Sequence, residues 1–129
     1  MGVKTKKIFL VGLLVLVLVV AGCARGGSVE DVSGNLENGV RVIQMKAFQF
    51  GFDPNPVIVN EGEKIKLVVT STDVTHGISI AEFGVNVQLF PGRPSIIDFT
   101  ADKAGTYTFY CSVPCGAGHR SMRGRLIVK

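Results

Sequence analysis

From residue 40 to the C-terminus, the chain is a series of short apolar runs cut by Gly and Pro. The clearest run is KIKLVVT at 64–70. It puts Ile65, Leu67 and Val69 on one face, with Lys64 and Lys66 on the other. Successive side chains of a strand point to opposite faces, so this alternation describes a half-buried strand. VRVIQMKAF (40–48), PVIVN (56–60), GISIAEF (77–83), VNVQLF (85–90), SIIDFT (95–100), GTYTFYC (105–111) and GRLIVK (124–129) complete the set. Between them lie turn residues: Asp53-Pro54-Asn55-Pro56, Asn60-Glu61-Gly62-Glu63, Pro91-Gly92 and Lys103-Ala104-Gly105. No helical stripe interrupts the series. Short strands at regular spacing predict an antiparallel all-β sandwich or barrel. A segment of about 90 residues is enough for one core.

The residues before this segment have another character. Lys4, Lys6 and Lys7 precede an apolar run, Ile8 to Val20, that ends in VAGC at 20–23. A charged start, a short apolar stretch and small residues before a cut describe a secretory signal. A cysteine directly after Ala21-Gly22 resembles a bacterial lipoprotein signal, in which Cys23 is lipidated. The alternative is an uncleaved anchor, for which the run is short of the roughly 20 residues a spanning helix needs. The expected division is a signal at 1–22, a Gly-, Ser- and acid-rich tether at 23–39, and a folded domain at 40–129. The chain then sits on the outer face of the cytoplasmic membrane, held by lipid. Without the signal, eleven Lys and Arg face ten acids, leaving a net charge of +1. That balance argues against a nucleic-acid partner.

The chemistry is concentrated in YCSVPCGAGHRSM at 110–122, which holds two of the three cysteines and one of the two histidines. Thiolate and thioether are soft ligands and imidazole is borderline, a set that suits copper. Cys115, His119 and Met122, with His76 from a distant loop, form the ligand set of a mononuclear blue-copper site. Cys111 does not fit that set. Two thiolates can instead bridge two coppers, with His76 and His119 giving one nitrogen each. Met122 then serves one ion and a backbone carbonyl, at Val113, serves the other.

The pattern H…C-x3-C-x3-H-x2-M resembles the CuA domain of cytochrome c oxidase subunit II and of nitrous oxide reductase. AFQFGFDPNPVIVNEGEKIKLVVTSTDVTHGISI is similar to the matching stretch of subunit II from ba-type oxidases. The resemblance implies a cupredoxin-like Greek-key β-sandwich with a binuclear copper centre. Cys111 and Cys115 would bridge both ions, His76 and Met122 would complete one, and His119 and the Val113 carbonyl the other. The implied function is one-electron transfer, from a cytochrome c or cupredoxin donor to a terminal oxidase or another reductase, with no catalysis by the domain alone. The chain departs from the family in several places. Valine stands where a polar side chain is usual, and Pro114 removes a backbone N–H. The apolar run before Cys23 reads as a cleavable signal where the family brings one or two transmembrane helices, and the sequence holds no tryptophan for the patch through which many members take electrons; Phe48, Phe50 and Phe52 lie near that aromatic region in sequence, or are core and turn residues. Arg120, Arg123 and Arg125 suit an acidic partner or anionic lipid headgroups, or are solvated surface charges. Asp73 is a candidate to orient His76, or a turn residue. A copper-delivery protein and a mononuclear blue-copper carrier are the rival functions.

Overall fold

The computed structural model describes residues 31–129. The signal, Cys23 and the tether up to residue 30 lie outside the described residues. The 64–70 alternation does what its pattern dictates. Strand β5 (Lys64–Ser71) buries Ile65, Leu67 and Val69 and turns its lysines outward. The other strands are β1 (Asn35–Glu37), β2 (Val40–Phe48), β3 (Gly51–Asp53), β4 (Val57–Val59), β6 (His76–Ile80), β7 (Val85–Leu89), β8 (Ser95–Thr100), β9 (Gly105–Tyr110) and β10 (Arg123–Val128).

They form two five-stranded sheets. One has the order β1-β2-β5-β8, with β3 also paired to β2; the other runs β4-β10-β9-β6-β7. The pairing is not antiparallel throughout. β2 runs parallel to β5, and β4 parallel to β10. The chain leaves the first sheet after β3, lays β4 in the second, and returns as β5 beside β2. Such a crossover is what a parallel pair requires. The sandwich is the curled all-β type of cupredoxin domains.

Three local differences from the sequence reading have physical causes. Paired structure begins at Asn35, inside the stretch read as tether. Leu36 lies opposite Arg41, and Ser33 Oγ accepts the Ile58 N–H at 2.9 Å, so backbone bonding rather than an apolar face holds this segment. Residues 51–53 form a strand too short to show alternation. Ala81–Phe83 leave the expected 77–83 strand as a 3-10 turn, closed by Gly84 at φ 64°, a conformation glycine adopts without steric cost.

The core lies between the sheets. Ile43, Met45 and Ala47 of β2 face Phe109 and Leu126 of the second sheet within one buried cluster. Phe109 meets Phe52 edge-on, with centroids 5.2 Å apart, a favoured aromatic geometry. Among the described residues, no helix is long and apolar enough to cross a membrane.

Candidate metal centre

Strands β6, β9 and β10 are neighbours in the second sheet, and their ends carry the chemistry. Tyr110 pairs with Ser79 of β6 and with Arg123 of β10. Continuing the antiparallel β6–β9 register puts His76 level with Val113. The 111–122 loop is closed at its base by the Cys111 N–H, which donates to the Met122 carbonyl at 3.0 Å. It then turns through a short 3-10 segment, His119–Ser121. On its way it crosses β6 at Gly77. A Cβ there would stand 2.3 Å from Ser112 Oγ and 3.0 Å from Val113 Cγ2. The glycine after His76 is therefore what lets the cysteine loop lie against the histidine strand.

The expected residues converge at this end of the sandwich. Cys111 Sγ lies 3.7 Å from Cys115 Sγ, 3.8 Å from His76 Nδ1 and 3.1 Å from the Val113 carbonyl oxygen. Cys115 Sγ lies 3.7 Å from His119 Nδ1 and 3.8 Å from Met122 Sδ. The donor atoms of His76, Cys111 and Cys115 all fall within 4.8 Å of one another. Both cysteines are free. His76, Cys111, Cys115 and Met122 are buried, whereas Val113 and His119 are half-buried.

The surroundings hold the donors in usable form. His76 Nε2–H donates to Asp73 Oδ1 at 2.7 Å. That fixes the tautomer and leaves the Nδ1 lone pair facing Cys111, as partners of metal-binding histidines do. Asp73 is thus both the turn residue and the orienting group: its Oδ1 also accepts the Val74 N–H at 2.6 Å, and its Oδ2 the Gln49 N–H at 2.7 Å. Burial raises the Asp73 carboxyl pKa, but these bonds outweigh it and hold the group below the ordinary carboxylate value. Burial first, and then the adjacent Cys111, pushes the Cys115 thiol up to about 11. A cationic ligand that replaces the thiol protons relieves that penalty.

Two sulfurs, two imidazole nitrogens aimed at them, a thioether and a carbonyl form a soft and borderline donor set. They fit a copper pair better than a hard cation. The sequence did not point to Gln49, whose side chain donates to the Cys115 carbonyl at 2.7 Å. It lies 66 residues from Cys115, and no local spacing marks it. The three phenylalanines divide: Phe52 is buried, while Phe48 and Phe50 are each 38% exposed. Arg120, Arg123 and Arg125 are exposed.

Comparison with known proteins agrees with this geometry. Residues 37–128 match the family described as cytochrome c oxidase subunit II, periplasmic domain. Cytochrome c oxidase subunit 2 of Thermus thermophilus is 38% identical over 87 residues, covering 67% of this chain and 64% of that protein. Nitrous-oxide reductase of Stutzerimonas stutzeri is 34% identical over 96 residues, 71% of this chain and 15% of the reductase. The chain therefore spans only part of these relatives. The periplasmic domain of cytochrome oxidase subunit II from Bradyrhizobium japonicum shares the fold, with a TM-score of 0.66 at 23% identity over 74% of this chain and 88% of that one. The CuA domains of such oxidases and reductases carry a binuclear copper centre and transfer electrons through it. With 37–128 matched and the ligand-type side chains gathered at one end of the sandwich, this chain belongs to the cytochrome c oxidase subunit II periplasmic-domain family.

Proposed function

We propose that the chain relays single electrons through a binuclear copper centre on the periplasmic side of the membrane. The ligands in this reading are His76, Cys111, Cys115, His119, Met122 and the carbonyl oxygen of Val113. His76 and Met122 would hold one ion, and His119 and the Val113 carbonyl the other. The observation that carries the reading is the pair of free sulfurs 3.7 Å apart, with a histidine Nδ1 within 3.8 Å of each. When bound, the copper pair supplies a reversible one-electron couple whose charge change is spread over two ions.

The chain's own residues do the rest. Asp73 orients His76, and the sandwich keeps the 111–122 loop at a fixed spacing from β6, which carries His76. Burial of Cys111, Cys115 and Met122 limits the water that meets these sulfurs, while His119 stays half-buried. In this reading the domain is a relay and not itself a catalyst. It takes electrons from a redox protein, a cytochrome c or a cupredoxin, and passes them to a terminal oxidase or a similar respiratory reductase. Lipid on Cys23 holds it at the membrane.

Metal counting and EPR on the copper-loaded chain test the reading. Two coppers per chain sharing one unpaired electron are expected. A single copper with a one-nucleus hyperfine pattern would replace it with a mononuclear carrier, and rapid loss of copper to a chelator with copper delivery. In the same preparation, the intact mass shows whether Cys23 carries acyl chains; an unmodified thiol there removes the anchor.

A further inference from the structure

Gln49 sits in the connection between β2 and β3, and it bonds to both halves of the site. Its side-chain amide donates to the Cys115 carbonyl oxygen at 2.7 Å. Its backbone N–H donates to Asp73 Oδ2, also at 2.7 Å. The other oxygen of that carboxylate accepts from His76 Nε2 at 2.7 Å. An unbroken run of bonds therefore joins Cys115 to Gln49, Gln49 to Asp73, and Asp73 to His76.

The brace has a firm base and a close fit. Gln49 lies two residues past the end of the β2–β5 ladder, at Ala47 opposite Ser71. The Thr72 N–H adds a bond to the Ala47 carbonyl at 2.9 Å. The next residue, Phe50, lies on the glycines of CGAGH. A Cβ on Gly118 would stand 2.4 Å from Phe50 Cδ2, and one on Gly116 would stand 2.9 Å from Gln49 Nε2. The glycine content of this loop is thus matched to the approach of residues 49 and 50. Residues 112–118 belong to no strand. Their place relative to His76 is set by the packing of Ser112 and Val113 on Gly77 of β6 and by the contacts of residues 49 and 50 with the loop.

We propose that Gln49 is a positioning residue for the copper ligands. Its amide donor holds Cys115 at a set spacing from His76 before metal arrives. The proposal rests on the copper reading above. Gln49 touches no reacting atom; it acts through the Cys115 backbone and the Asp73 carboxylate.

The test uses Q49L and Q49E. Leucine keeps approximate size without a donor, and ionised glutamate turns an acceptor toward the Cys115 carbonyl. Both retain the backbone N–H that reaches Asp73. Gln49 is exposed, so neither change touches the core. Two readouts are taken: amide hydrogen exchange of residues 115–118 in the metal-free chain, and copper release to a chelator from the loaded chain. Both variants are expected to exchange faster in that loop, with β5 and β9 unchanged, and to release copper roughly tenfold faster. Exchange and release at wild-type values would overturn the proposal. So would a lowered Tm with both readouts unchanged, which marks a merely structural residue. If wild-type chain binds no copper, the functional reading fails, while exchange in the metal-free chain still decides the role of Gln49.

Discussion

Asp73 is the residue on which most of the site's order converges. Its two oxygens take bonds from the Gln49 and Val74 N–H groups and from His76 Nε2. Removing the carboxylate leaves the buried His76 free to choose its tautomer and its angle. Asp73→Ala is therefore expected to weaken copper binding about 10- to 100-fold, the usual cost of losing a partner of a metal-bound histidine. Competition with a calibrated chelator measures it, and affinity within twofold of wild type would show that His76 is oriented by packing alone. Part of this was legible: D-x-x-H in a turn marked Asp73 as a candidate. The Gln49 amide was not legible, because nothing in AFQFGF says that the side chain at 49 meets a carbonyl at 115.

At the scale of elements, the parallel β2–β5 pair is the joint on which the first sheet depends. Its start is clipped by Arg41 and Glu63, two side chains only 12% and 16% exposed. Arg41 donates to both carboxylate oxygens, at 2.6 and 3.2 Å, a bidentate geometry that is among the stronger ion pairs. The Arg41 bonds, reinforced by Asn60 against the opposing effect of burial, pull the Glu63 pKa down to about 2. A folded pKa below the unfolded one means stability that is present above the unfolded value and lost as pH falls. The contribution is thus complete above the unfolded carboxylate range near 4.5 and gone below about 2. Full linkage would be about 3 kcal/mol; screening at a partly exposed pair reduces it to about 1 kcal/mol. Glu63→Gln should lose that amount in urea unfolding at pH 7, and the gap to wild type should narrow from pH 5 to 2. A gap independent of pH would mean that the glutamine keeps the clip by neutral hydrogen bonds. Alternation in the sequence marked β5 correctly, but it could not show that β2 pairs with β5 in parallel, since both directions bury the same face.

For the whole molecule, function depends on which surface meets a partner. Arg123 and Arg125 pair with Tyr110 and Thr108 on the outward face of β9 and β10. A cleft of about 520 Å³ opens between Tyr110, Arg120 and Arg123 and reaches Cys111, His119 and Met122. Among the described residues the one ion pair made by an arginine is Arg41–Glu63, so no carboxylate neutralises these three arginines. An acidic redox donor should therefore react with the copper-loaded chain at a rate that falls with added salt. R120E/R123E should slow that reaction and reverse its salt dependence. Stopped-flow rates across ionic strength measure both, and a salt-independent wild-type rate would exclude this face as the docking surface. The all-β class and the residues gathered in the 111–122 loop can be read from the order of amino acids alone. Strand alternation and C-x3-C-x3-H-x2-M are local patterns, read within a few residues of themselves. Folding settles which strands lie side by side, that Gly77 admits the cysteine loop against β6, and that Gln49 and Asp73 tie Cys115 to His76. Those contacts join residues far apart in the chain. Their partners are chosen by the packing of two sheets on one core, and no local pattern encodes that choice.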